Sequence, residues 1–309
     1  MWLSEPRVHG HSLSAWLRTP SVNFFGGDFS TDLDLNAEQA TNAIHQIGVR
    51  AIPVLLRKLQ ATDGKWKRKL ADFAQGHRWF TWKFHWAGED YQQALTGFRI
   101  LGPKARDAIP QLAQLLLATN TAERAGPALA AIGVDSVPVL RSALTNAEPI
   151  VRLAAMEALT ISTNLALLSL PDMPRLLNDP DASIASLALS QIAWVAPLDQ
   201  SLPVLTNALN DRRLWFQAVR RLGALGTNAR VAAPFLVPLL TADAHPLLAR
   251  LITNALIRID PEVAAAAGVN TNPIISRTTA PANGAPFSTN APPTGGRRMR
   301  RPRSNSPPG

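Results

Sequence analysis

The 309-residue chain has no cysteine. Disulfides, thiolate metal ligands and thiol nucleophiles are therefore excluded, and the redox compartment stays unread. No apolar run approaches the roughly 18 residues that a membrane-spanning helix needs. Alternating Val, Ile and Thr runs are missing, so a β-rich fold is not expected. Catalytic signatures are missing as well: there is no His-Glu-x-x-His, no Walker loop, no Gly-x-Ser-x-Gly and no Gly-x-Gly-x-x-Gly. The histidines are His9, His11, His45, His77, His85 and His245. None has a second histidine at a helical i+4 step, and His9-x-His11 is weak metal spacing. Carboxylates are sparse and sit mostly in turn sequences, so no general acid–base pair can be named. No catalytic residue, metal ligand, cofactor or small-molecule substrate is predicted, and the expected class is non-enzymatic.

What is present is alanine and leucine, which suit closely packed helices. Residues 128–160, ALAAIGVDSVPVLRSALTNAEPIVRLAAMEALT, hold the pattern. One helix ends at Ile132, and Gly133 stops it by supplying a left-handed residue. In the next helix Val137, Leu140 and Leu144 make an apolar stripe. After a turn around Asn146, Val151, Ala154, Ala155, Ala158 and Leu159 fall at i, i+3, i+4, i+7 and i+8, again one stripe. Arg152 and Glu157 fall off it, toward solvent. Two such helices cannot bury both faces alone and need a similar pair on each side.

The unit recurs. Gly48, Gly102, Gly133 and Gly226 each follow a helix ending in Ile or Leu. Pro110, Pro138, Pro174, Pro203 and Pro234 recur at intervals of 28, 36, 29 and 31 residues. A proline near a helix start costs no hydrogen bond, so these mark the first helix of each unit. The predicted pairs are 106–118 with 121–132, 136–145 with 149–160, 165–178 with 181–194, 200–209 with 213–225, and 230–240 with 246–259. Before them come a short helix over 12–18 capped by Ser12, a connecting loop over 19–36, and a helix over 37–47. Gly26-Gly27 and Asp32-x-Asp34 lie in that loop, without the further residues of a phosphate or calcium loop.

Four segments carry a resemblance: IG-x3-IP-x-LL at 47–56, LGPKARDAIPQL at 101–112, EPIVRLAAMEAL at 148–159 and DPDASIASLALSQI at 179–192. Over roughly 37–260 the chain resembles bacterial HEAT-repeat proteins, of the short HEAT-like type also found in phycobilisome lyases. The period is shorter than the usual HEAT repeat of about 40 residues. The resemblance implies an all-α fold: an α-solenoid, or superhelix, of antiparallel helix pairs, HEAT-like or armadillo-like. It implies that the second helix of each pair lines the inner surface. The off-stripe residues Arg99, Arg124, Arg152, Glu157, Gln191, Arg220, Arg221, Arg250 and Arg258 are then the candidate partner contacts. The alternative is that these arginines pair with turn acids such as Asp135, Asp179 and Asp211, or stay solvated. Trp194 and Trp215 are expected to pack. SEPRVHGHSLSAWL, near the start, resembles the segment that follows an N-terminal membrane anchor in related repeat proteins. Compartment is otherwise open: cytoplasmic as written, extracytoplasmic or membrane-associated with such an anchor.

Two segments break the pattern and hold the charge. Residues 61–90 form a basic, tryptophan-rich insertion within one repeat. From 65 to 86 it carries +5, with Trp66, Lys67, Arg68, Lys69, Trp79, Phe80, Trp82, Lys83 and Trp86. Aromatic and cationic faces of this kind fit an interfacial helix on anionic lipid. They also fit an insertion folded back over an apolar groove, or a contact with an acidic protein or nucleic acid. Nucleic acid is the weaker case, because basic residues continue only thinly along the repeats. Residues 270–309 hold no acid, eight prolines and six arginines. They read as a disordered tail of about 35 Å reach. The cluster Arg297, Arg298, Arg300, Arg301 and Arg303 fits phosphate groups or simple solubilisation. Of the net +9, the tail holds +6 and the insertion +5, leaving the rest near −2.

The composite expectation is a protein-interaction scaffold. A peripheral membrane adaptor and a lyase-like accessory enzyme, the latter from the resemblance alone, are the alternatives.

Overall fold

A computed structural model describes residues 5–18, 31–64, 66–67, 86–240 and 245–269. These belong to one compact unit, Met1–Asn270. The unit is mostly helical. The chain opens on a two-stranded antiparallel ribbon, β1 (Arg7–Val8) and β2 (His11–Ser12), turning through His9 and Gly10 at positive φ. The sequence reading did not foresee this ribbon. Its strands are two residues long, too short to show alternation. It leads into α1 (Leu13–Leu17), where the Ser12 hydroxyl accepts from the Ala15 N–H, the expected cap.

The helices that follow are α2 (Thr31–Ile47), α3 (Ile52–Leu59), α4 (Ala87–Leu101), α5 (Ile109–Leu117), α6 (Ala122–Ile132), α7 (Val137–Ala143) and α8 (Pro149–Thr160). Then come α9 (Thr163–Ser169), α10 (Met173–Leu176), α11 (Ala182–Val195), α12 (Leu198–Ala208) and α13 (Trp215–Leu225). The last are α14 (Ala233–Leu236), α15 (Pro246–Ile259) and α16 (Pro261–Ala266). The expected loop over 19–36 is shortened, because α2 already begins at Thr31. Asp32 and Asp34 fall in its first turn, where acidic residue types favour a helix start.

Each helix stop read from the sequence is where it was expected. Gly48, Gly102, Gly133 and Gly226 have φ of +57°, +52°, +97° and +57°, a region that favours glycine. Each opens a short 3-10 segment that carries the chain into the next helix; at Gly133 the segment starts one residue later. Prolines Pro110, Pro138, Pro174 and Pro234 stand in a first helical turn. Pro203 does not. It lies inside α12, which starts five residues earlier, so the Asp199 carbonyl goes without its helical donor. Two expected helices are also broken. Residues 163–176 split into α9 and α10 around a 3-10 turn at Leu170–Asp172. Residues 226–239 reduce to 3-10 segments flanking α14, with Pro238 stopping it.

Packing follows the apolar stripes. Helices α3 and α4, α5 and α6, α7 and α8, α12 and α13, and α14 and α15 touch as neighbours in sequence. Contacts also skip one helix: α4 meets α6, α6 meets α8, α11 meets α13, and α13 meets α15, while α8 meets α11 past the two short helices α9 and α10. Val151, Ala154, Ala155, Ala158 and Leu159 are all buried, as the stripe required. The apolar interior falls into two clusters, and α11 lines both. Ile184, Ala188 and Ile192 enter the first, while Ala185 and Leu189 enter the second.

Some of these contacts are close enough to need glycine. A methyl group at Gly126 would sit 2.7 Å from the Ala154 carbonyl oxygen of α8. A carbonyl in a helix cannot step aside as a side-chain tip can. Gly223 of α13 similarly faces the backbone of Ala255 in α15. Gly126→Ala is expected to lose about 1–3 kcal/mol despite alanine's better helix propensity, measured by denaturant unfolding. A stability equal to or above the parent would mean that α6 and α8 are not this close.

Candidate functional site

The arginines named from the sequence divide by what their side chains do. Arg124, near the start of α6, donates through Nη1 to the main-chain oxygens of Ala61 at 2.6 Å and Leu59 at 3.3 Å, and lies 5.9 Å from the Tyr91 ring. Arg152 is not on a solvent face. It is 8% exposed and forms a bidentate pair with buried Asp179, Nε and Nη2 reaching its two oxygens at 2.8 and 2.7 Å. Its Nη1 donates to the oxygens of Asn146 and Ala147, both at 2.9 Å. The stripe rule missed this because the guanidinium sits on a long stem and reaches the turn before its own helix. Asp179 was foreseen as a pairing acid for these arginines; Asp211 instead pairs with Arg213, which was not among them. Further pairs not read from the sequence are Arg141–Asp172 and Arg230–Asp260. Their partners lie about 30 residues apart, beyond any helical spacing.

Burial pushes the Asp179 carboxyl up. Hydrogen bonds from Arg152 and from the Asp181 N–H, with the charges of Arg152 and Arg213, outweigh it and hold the group below the usual carboxylate range.

Four of the remaining arginines named from the sequence have no acid paired with them among the described residues, and Arg220 donates to the Gln217 side chain at 3.1 Å. Arg99, Arg220, Arg250 and Arg258 are exposed and form no ion pair among the described residues. Glu157 is exposed as well. Of the insertion, only its margins are described. Trp66 is 71% exposed. Lys67 is tied to Asp63 at 2.7 Å and stands 5.4 Å from the Trp86 ring. Arg68, Lys69, Trp79, Phe80, Trp82 and Lys83 lie outside the described residues, as does the tail with Arg297, Arg298, Arg300, Arg301 and Arg303.

One place gathers unspent polar groups around a bare aromatic ring. Trp194, near the end of α11, is 74% exposed instead of packed. Trp215, by contrast, is half-buried and donates to the Leu209 oxygen at 2.6 Å. The Arg221 guanidinium of α13 lies 3.5 Å from the Trp194 ring centroid. Its Nε and Nη2 are buried without a hydrogen-bond partner. Burial, and then neighbouring Arg220, push the Arg221 pKa down. One turn before Trp194, Gln191 is 4% exposed. Its Nε2 donates to Ser169 Oγ at 2.8 Å and the Ala166 oxygen at 3.2 Å. That fixes the amide's orientation and leaves Oε1 buried with no partner. An unmet buried acceptor costs about 1–3 kcal/mol.

Gln191 and Trp194 line a cavity of about 390 Å³ between the end of α8, the start of α9 and α11. Thr160, Ser162, Thr163 and Ser190 add hydroxyls, and Ala166, Leu187 and Val195 add apolar wall. None of the described side chains lining it is charged. The sequence listed Gln191 and Arg221 among possible contacts. It gave no sign that Trp194 would stand in the open, because its neighbours in space come from α13.

A search of protein-family models returns no match to the chain, and a search of curated proteins returns none. Among the described residues, no helix is long and apolar enough to cross a membrane. Nor do three or more His, Asp or Glu side chains gather where they would hold a metal ion.

Proposed function

We propose that residues 37–260 form an α-solenoid of HEAT-like helix pairs and that it works as a protein-interaction scaffold without chemistry of its own. The glycine stops at matching places and the contacts that link alternate helices along the chain support the repeat reading. The observation that carries the function is the state of the second-helix arginines. Arg124 and Arg152 are spent on main-chain oxygens and a buried aspartate. Arg99, Arg220, Arg250 and Arg258 are exposed with no acid paired to them among the described residues. Unpaired cations on a rigid frame attract an acidic partner surface, and their main effects are on association rate and specificity.

The test replaces Arg99, Arg220, Arg250 and Arg258 together with glutamate in the full chain. The exposed sites leave the fold intact, with an unchanged melting curve. Affinity purification with cross-linking then recovers a partner with the parent chain and loses it with the variant, and the parent complex weakens as salt rises. A partner held equally by both chains, or none held by either, removes the arginine surface as the working face.

A further inference from the structure

We propose that the cavity beside Trp194 binds a neutral polyhydroxylated ring, a sugar unit of monosaccharide or disaccharide size. This goes beyond the scaffold reading and does not depend on it. The lining favours a neutral ligand: no charged side chain among the described residues lines the cavity, and the Arg221 guanidinium is stacked against the indole. The hydrogen-bond balance excludes a purely apolar one. Gln191 has spent both amide hydrogens within the protein and its Oε1 is buried, so the polar groups offered to a ligand are the hydroxyls that line the cavity.

The remaining walls ask for hydroxyls in either role. Thr160 donates its hydroxyl to the Glu157 oxygen and is left to accept. Ser162 accepts from the Leu165 N–H and is left to donate. Thr163 and Ser190 make no hydrogen bond among the described residues, and each can do both. A sugar ring carries several hydroxyls that each donate and accept, and its C–H face is apolar. That face matches the indole, which is 74% exposed and is steadied by the guanidinium stacked on it. The volume, about 390 Å³, lies at the lower end of the range for small-molecule sites and fits one or two rings.

The experiment uses the full chain with glucose, galactose, N-acetylglucosamine and their β-1,4-linked disaccharides. Glucuronate and a capped Ser-Gly-Ser peptide serve as controls. Saturation-transfer NMR detects binding and calorimetry measures it. At least one neutral sugar is expected to saturate the protein below about 10 mM. Trp194→Ala should weaken that binding about tenfold or more with only a small shift of the melting curve, because the ring is exposed apart from its contact with Arg221. Ser190→Phe, which fills the cavity, should abolish it. No binding by any neutral sugar overturns the proposal. So does binding that survives both substitutions, or binding confined to glucuronate or to the peptide.

Discussion

Asp179→Ala lowers stability by about 3–5 kcal/mol, with a fall in Tm of roughly 10 °C. The cause is the charge left behind. Arg152 is buried and cannot turn its Nε–Nη2 edge to water, although Nη1 keeps the Asn146 and Ala147 oxygens. The Asp181 N–H loses its acceptor in the same step. Replacing both partners by apolar residues, Arg152→Met with Asp179→Leu, recovers only part of the loss, because those two main-chain oxygens then lose their donor. Calorimetry on the three chains checks the order: parent, double variant, Asp179→Ala. If Asp179→Ala melts with the parent, the pair is not a structural clasp.

The same pair sets an acid limit. Because the folded carboxyl titrates below its ordinary value of 3.8, its stabilising contribution is complete above that value. It is lost as pH falls through the lower, folded pKa. Asp179→Asn removes this component, so its stability changes less steeply than the parent's between pH 4 and lower values, read from unfolding midpoints in urea.

Val151→Asp produces the other large effect, a loss of several kcal/mol or failure to fold. Val151 is fully buried at the start of α8. Arg152, next in the chain, is already committed to Asp179 and offers the new carboxylate no partner. Val151→Ala serves as the reference, because it removes volume without adding charge. Its loss should stay near 1–3 kcal/mol. Near-equal melting of the aspartate variant and the parent would refute the register assigned to α8.

What could be read before the structure was whatever the chain states locally. Gly133 after Ile132, Ser12 before Leu13 and the 151–159 stripe each need only a few neighbouring residues, and each lies where it was expected. The failures involve distance or reach. Arg152 was placed toward solvent, with Asp179 named as one alternative partner, because a period of 3.6 describes where a Cβ points, not where a six-atom stem ends. Asp179 lies 27 residues further on, in another turn. Trp194 was expected to pack because large aromatics usually do. Its exposure depends on which residues α13 brings beside α11. The spare acceptor on Gln191 is further from the sequence still, since it appears only once Ser169 and the Ala166 carbonyl have taken the two hydrogens.

The division of the apolar interior at α11 bears on how the molecule fails. Five buried residues of this helix divide between two clusters that share no buried member, and the partly buried Leu177 and Val204 pack against both. Coupling between the N-terminal and C-terminal halves therefore passes largely through a single shared wall. Damage to the second cluster exposes one side of α11 and leaves the first cluster otherwise intact. On the repeat reading proposed above, the expected behaviour is a graded series of neighbouring stabilities, with disorder that starts at one end halted where α11 still holds its other face.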